Sequence, residues 1–278
     1  MIGIGRYNRL KIVKEVPFGV YLDGEELGEI LLPSKYVPDN HEIGSEVDIF
    51  LYLDSEERLI ATTLKPRAQV GEFALLTVAS NSKFGSFLKW NIEKDLFVPF
   101  KEQKNPLMVG KSYVFFVYFD EESGRLAASQ KIHKFLSKEP PEFNEGDEVD
   151  ILIYDLTPLG WKAIINHSFT GMLYSSEVYN TDVKIGFESK AYIKKLREDL
   201  KIDLSLNRSG YGTVKDFSEI LLEKLIENEG FLSFNDNSSP ELIYSAFGVS
   251  KKVFKKAVGS LYKSQKIKLV NGGIEWIN

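Results

Sequence analysis

Cysteine is absent from the 278 residues, which excludes a disulfide framework, thiolate catalysis and cysteine-ligated zinc. Histidine is scarce: His41, His133 and His167 stand apart, no two at metal-ligand spacing, and each reads as a surface or structural residue. Long apolar runs are missing as well. No stretch approaches the roughly 18 residues of a membrane span, and Met1-Ile2-Gly3-Ile4-Gly5-Arg6 lacks the basic-then-apolar layout of a signal peptide. Both point to a cytoplasmic protein with no membrane partner. Gly3-Ile4-Gly5 has neither a preceding strand nor the third glycine of a dinucleotide fingerprint. No nucleophile and base form a recognisable pair, so the chain reads as non-catalytic, with no cofactor and no metal.

An excess of positive charge is also lacking. The net charge of −5 counts against a simple phosphate-binding polycation, because sequence-independent affinity for nucleic acid comes from Lys and Arg neutralising phosphates. The charge is unevenly spread. Basic against acidic residues number seven to twelve over 1–65, eleven to eight over 66–140, eight to twelve over 141–209 and nine to eight over 210–278. A polyanion should therefore prefer particular segments.

What the chain does contain is a repeat. Phe18-Gly19, Phe84-Gly85 and Leu159-Gly160 each precede a hydrophobic strand and then a second glycine, Gly44, Gly110 or Gly186, which lies 25, 25 and 26 residues beyond the first. Three copies of one small domain stand in a row, an organisation that decides the architecture before any single residue is read. In the first copy, strands are expected at Leu10 to Val16, Gly19 to Leu22, Glu29 to Leu32, Val47 to Leu53 and Leu59 to Leu64. Five short strands in this span predict a small closed barrel. The second copy repeats them from Phe73 to Gln130, and Leu136 to Glu148, with Pro140-Pro141, reads as a linker into a third set from Val149 to Leu206.

After Asn207-Arg208-Ser209-Gly210 the period changes from two to about 3.6. Phe217, Ile220, Leu221 and Leu225 mark a helix ending near Gly230; Ser239-Pro240-Glu241 opens a second, which runs to Gly248, and Ser250 caps a third. A hairpin follows around Asn271-Gly272-Gly273. Three helices and a terminal hairpin predict a winged helix-turn-helix.

The chemistry should lie around the first glycines. A glycine inside a strand often marks a bulge or bend, which would bring Phe18 with Tyr21, and Phe84 with Phe87, onto one surface. The face of strands two and three is where small barrels of this kind receive oligonucleotides. The same aromatics also fit core or rim packing. The third copy departs from the pattern, with Leu159 and Lys162 at the two positions, Trp161 between them and Tyr174 on its third strand. In the terminal domain, Lys251, Lys252, Lys255, Lys256, Lys263, Lys266 and Lys268 fall between Ser250 and Lys268 with no acid among them. The first two stand in a helix's opening turn, where the macrodipole disfavours cations and a phosphate backbone would offset it. A merely solvated helix face is the alternative.

On these residues the modules resemble the S1 motif, an RNA-binding five-stranded barrel. That resemblance implies RNA contact by the aromatics around the glycine, by the residue fourteen beyond it (Pro33, Pro99 and Tyr174 here), and by basic residues near the last hairpin (Arg58, Arg125 and Lys201). Thr62, Ser129 and Ser205 occupy the family's small-hydroxyl position. The whole order of modules resembles the bacterial conserved virulence factor B family, which implies an RNA-binding regulator. The expected fold is mainly β with a C-terminal α/β domain: three tandem OB-fold, S1-like barrels at 1–65, 66–140 and 141–209, then a winged helix at 210–278. The expected partner is single-stranded RNA, with duplex nucleic acid at the winged helix, or a protein-interaction scaffold, as the competing readings.

Overall fold

Alternation builds the first barrel. Leu10 and Ile12 of β1 (Tyr7–Val16), Val20 and Leu22 of β2 (Gly19–Asp23), Ile30 and Leu32 of β3 (Glu29–Pro33), Val47, Ile49 and Leu51 of β4 (Glu46–Leu53) and Ala61 of β5 (Leu59–Thr62) share one core. Their neighbours along each strand mostly face outward, as a period of two requires. A computed structural model describes residues 2–175, 178, 182–207, 217–249 and 251–277. In it the strands close in the order β1-β2-β3-β5-β4, and β3 meets β5 in parallel at Leu31 and Ile60.

The second barrel comprises β6 (Phe73–Asn81), β7 (Gly85–Lys89), β8 (Leu96–Pro99), β9 (Ser112–Asp120) and β10 (Arg125–Ser129); the third comprises β11 (Glu148–Thr157), β12 (Gly160–Ile165), β13 (Phe169–Tyr174), β14 (Glu188–Leu196) and β15 (Ile202–Ser205). Both close in the same cyclic order as the first.

The two glycines of the repeat have different physical causes. A Cβ on Gly19, Gly85 or Gly160 would lie 2.2, 2.2 or 2.4 Å from the carbonyl oxygen of Leu32, Val98 or Leu173 on the neighbouring strand. The first glycine is thus demanded by close approach of backbones. Gly44, Gly110 and Gly186 instead adopt φ of 97°, 79° and 86°, a region that L side chains rarely occupy, in the turns that precede β4, β9 and β14.

The bulge lies elsewhere than its expected place beside the first glycine. The register slips on the opposite strand, between Ile12 and Lys14, Val78 and Ser80, and Ile153 and Asp155. The extra residue is accommodated in the longer strand, while the short glycine-led strand keeps unbroken pairing with its other neighbour, as Gly19–Pro33 to Asp23–Glu29 and Gly85–Pro99 to Leu88–Leu96 illustrate.

The first two barrels make one compact unit, residues 1–138 with 167–169; the third barrel and the terminal domain make the other. Within the first unit the barrels share a core. Phe50 and Tyr52 of β4 are buried in a cluster with Leu88, Trp90, Leu96 and Phe115 of the second barrel, and the Phe50 and Trp90 rings meet edge-on at 5.7 Å.

In the terminal domain, α1 (Phe217–Glu227), α2 (Pro240–Phe247) and α3 (Lys251–Lys263) pack around Leu221, Leu225, Ile243, Phe254, Val258 and Leu261. Ser239 caps α2 by accepting a hydrogen bond from the Leu242 N–H, and Gly248 ends it in the left-handed region. The expected Ser250 cap, the chain around 208–216 and the Ser176-Glu177 end of the third copy's third strand lie outside the described residues. One strand escaped the sequence pattern: β16 (Phe231–Leu232) joins the hairpin of β17 (Ile267–Val270) and β18 (Gly273–Trp276) in the order β16-β18-β17. Two residues carry no periodicity to read. Among the described residues no helix is long and apolar enough to cross a membrane.

Gly85→Ala is expected to lower stability by about 1–3 kcal/mol, because an inserted methyl against backbone forces the strands apart. Thermal or chemical denaturation compared with the unmodified chain measures it.

Candidate nucleic-acid interface

The β2 to β3 surface of each barrel begins with the residue before the close-approach glycine. Phe18, Phe84 and Leu159 are 55, 67 and 65% exposed, because the chain enters the strand there with the buried glycine turned towards its neighbour. In the first barrel Phe18 meets Tyr21 edge-on at 6.4 Å, and Lys14 Nζ lies 5.4 Å from the centre of the Tyr21 ring. The second barrel is arranged differently. Phe87 pairs with Phe97, directly opposite on β8, at 5.2 Å, while Phe84 has Lys83 Nζ 4.9 Å above its ring. Phe84 and Phe87 thus each take a separate partner, and both line one cleft. Phe97 and Lys83 were missed, although Phe97 stands in a predicted third strand, where alternation places it outward between buried Leu96 and Val98.

The basic residues near the last hairpins differ more sharply. Arg58 spends its guanidinium on its own turn: Nε and Nη2 donate to Asp54 Oδ2 at 2.9 and 2.8 Å, and Nη1 lies 2.8 Å from Glu56 Oε2. Burial pushes the Asp54 carboxyl up, but hydrogen bonds from the Arg58 backbone and side chain and from the Glu56 N–H outweigh it and hold the group below the usual carboxylate range. The cation is already neutralised by the carboxylates of its own turn. In the second barrel the turn is one residue longer. Asp120 takes Ser123 Oγ at 2.7 Å instead, and Arg125 Nε reaches Glu57 Oε1 of the first barrel at 3.2 Å.

In the third barrel Lys201 turns to Asp199, 2.6 Å away. The cation beside Tyr174 is Arg197, whose Nη2 donates to the tyrosine oxygen at 2.6 Å and whose Nε lies 3.0 Å from Asp203. Arg197 went unrecognised because it stands before the hairpin turn, although β14 to β15 pairing brings that end of the hairpin beside β13. Trp161 and Lys162 are half-buried, and Lys162 pairs with Asp155 across the β11 bulge. Pro33 and Pro99 lie opposite Gly19 and Gly85 in register, so position fourteen borders the close approach.

The small hydroxyls do not face outward. Thr62, Ser129 and Ser205 are buried, and each oxygen accepts from the backbone N–H two residues on, at Leu64, Lys131 and Asn207. Ser129 also donates to Glu102 at 2.5 Å, and Lys134 Nζ donates to the other oxygen of that buried carboxylate at 2.8 Å. Burial pushes the Glu102 carboxyl up; the Lys134 and Ser129 hydrogen bonds outweigh it and leave it below the usual range.

An aromatic concavity of the first unit opens beside Phe84. It is a cleft of about 460 Å3 lined by Phe84, Phe87 and Phe97, by Lys101 and Arg125, and by Tyr52 and Glu57 of the first barrel. Burial pushes the Tyr52 hydroxyl up to about 12, so it remains protonated. On the terminal domain, Lys252, Lys255 and Lys256 are exposed and Lys251 is half-buried, opposite the buried Phe254, Ala257, Val258 and Leu261. Lys255 lies 3.4 Å from Asp236. Among the described residues no group of three or more acids or histidines converges as a metal site.

Tandem barrels with exposed aromatics and cations, followed by a winged helix, define a multidomain protein of the nucleic-acid-binding class. The family model of the S1 domain matches residues 4–64, and that of the CvfB-like winged helix domain matches residues 219–275. The chain is similar to the YitL protein of Bacillus subtilis, 26% identical over 96% of this chain and 92% of the other. It is also similar to conserved virulence factor B of Staphylococcus epidermidis, 23% identical over 85% and 81%. A crystal structure of a multidomain protein with nucleic acid binding domains from Streptococcus pneumoniae, 24% identical, matches with a TM-score of 0.45 over 99% of this chain and 98% of that one. The chain is thus similar to the conserved virulence factor B proteins over most of its length, with a matched S1 domain at one end and a matched CvfB-like winged helix domain at the other.

Ser129→Ala is expected to cost about 1–3 kcal/mol at neutral pH by leaving a buried charged acceptor short of a donor. Because the folded Glu102 pKa is depressed, the stability linked to its ionised form is full above the ordinary carboxylate range and is lost as the pH falls through the folded pKa. The difference between the two proteins should shrink over that window in melts recorded from neutral to acid pH.

Proposed function

We propose that the chain is a non-catalytic regulator of gene expression that binds single-stranded RNA in the cytoplasm through four modules, 1–65, 66–140, 141–209 and 210–278. Bases stack on the second barrel, and phosphates are taken by Arg125, Lys101 and the lysine face of α3. The observation that carries this reading is the surface around Phe84: a ring 67% exposed, with Lys83 over it, at the edge of an aromatic cleft that also holds Arg125. An unpaired base offers a free π-face to such a ring, which a base within a duplex does not. The net charge of −5 leaves stacking, rather than bulk electrostatics, as the main source of affinity. The first barrel contributes less, since Arg58 is bound by Asp54 and Glu56. The third contributes Tyr174 with Arg197, and Trp161, Lys162 and Lys201 at its edges. The regulatory role follows the family resemblance.

The exposed lysines of α3 favour a second reading, duplex DNA at the winged helix, because a helix of this kind commonly enters a major groove. On A-form RNA the same lysines can hold only phosphates, since that major groove is too deep and narrow for side chains to read.

Phe84→Ala should weaken binding of short single-stranded RNA roughly 5- to 150-fold, from about 1–3 kcal/mol of stacking, as measured by fluorescence anisotropy. Unchanged affinity in a folded variant would remove the platform. Joint replacement of Lys252, Lys255 and Lys256 by Ala should lower the salt slope of RNA binding by about two to three; tighter binding of duplex DNA than of single-stranded RNA by the unmodified chain would favour the second reading.

A further inference from the structure

A surface built only to hold phosphates would have no carboxylate in its midst, yet Glu57 stands in the cleft beside Phe84. The β4 to β5 turn of the first barrel puts it there. Asp54 Oδ1 accepts from the N–H groups of Glu56 and Arg58 at 2.8 and 3.0 Å, and the Glu57 N–H donates to the Asp54 carbonyl at 3.1 Å. Lys94 of the second barrel secures the turn from the other side, donating from Nζ to the same carbonyl at 2.6 Å. Glu57 Oε1 then lies 3.4 Å from Lys94 Nζ and 3.2 Å from Arg125 Nε, while Oε2 accepts no hydrogen bond among the described residues. A second acceptor is close by. Asp95 Oδ1, also in the lining, is buried and has no hydrogen-bond partner among the described residues; Lys89 Nζ, 3.0 Å away, lies outside hydrogen-bond geometry.

We propose that this cleft receives one unpaired guanine base of the bound RNA, and that Glu57 determines its identity. The inference rests on the RNA-binding reading and adds base selection to it. The space, about 460 Å3, falls within the roughly 300–1,000 Å3 of small-molecule sites, and Phe84, Phe87 and Phe97 supply apolar faces for a planar ring. What distinguishes the bases is the edge presented to a carboxylate, which when ionised only accepts. Guanine offers two adjacent donors, N1–H and the 2-amino group. Adenine and cytosine place a ring-nitrogen acceptor beside their amino group, and uracil flanks its N–H with two carbonyls, so each sets a lone pair against the carboxylate. Lys94 and Arg125 hold the carboxylate by Oε1, which leaves Oε2 to meet the base. The partner is recognised by an acid from one barrel and aromatics from the next.

Anisotropy titrations of the full chain with short uridine RNAs carrying a central guanosine, inosine, adenosine or uridine test this. The guanosine RNA should bind about tenfold tighter than the uridine RNA, as expected for hydrogen bonds from two donors to a charged acceptor, with inosine, which lacks the 2-amino group, in between. Glu57→Gln should abolish that preference, so that the variant binds the guanosine and uridine RNAs alike. Equal affinity for guanosine and inosine RNAs in the unmodified chain would overturn the proposal without any variant. So would a guanosine preference that survives Glu57→Gln, or a uniform gain for all four RNAs, which would mean that Glu57 only neutralises its cations. Failure of the unmodified chain to bind any of the four would instead overturn the RNA-binding reading beneath it.

Discussion

In every barrel the carbonyl of the third strand passes so close over the glycine that opens the second that a Cβ would lie 2.2–2.4 Å from it. That contact draws two backbones together where the barrel closes. It also turns the preceding residue outward, which is why Phe18, Phe84 and Leu159 project from equivalent places despite their different chemistry. The close approach of the strands and the proposed ligand surface therefore share a cause: the exposed residue lies on the outer side of the same backbone contact.

On that common scaffold, the pairing of cations separates the barrels. Arg58 is held by the carboxylates of its own turn, and Arg197 by Asp203 beside Tyr174. In the second barrel one added residue in the hairpin gives Asp120 a serine partner and sends Arg125 to Glu57 of the preceding barrel. An exposed ion pair of this kind is worth little in stability. Its consequence is positional, since it sets an acid and a base at the edge of one aromatic cleft. The shared core around Phe50 and Trp90 keeps the two barrels in the relation that this requires.

Much of this was legible along the chain. The repeated glycines announced the barrels, and Ser239-Pro240 with Gly248 announced the second helix, because closure, capping and left-handed turns each require particular residues at particular offsets. The recurring hydroxyls were visible too, and their cause is local: Thr62, Ser129 and Ser205 each accept from the backbone N–H two residues on. Phe97 lay in a predicted strand and Arg197 directly after one, yet only pairing across the sheet places Arg197 beside Tyr174 and Phe97 beside Phe87.

The sequence by itself determined the number of modules, the inward and outward faces of their strands and the change to a helical domain, since these depend on short-range periodicity and on backbone sterics within a few residues. Tertiary structure alone decided where the bulges fall, how Phe231 and Leu232 join the wing, and which acid each arginine meets. Those outcomes depend on strand pairing and on packing between barrels, where residues as distant as Glu57 and Arg125 become neighbours, and no local pattern in the chain records such an encounter.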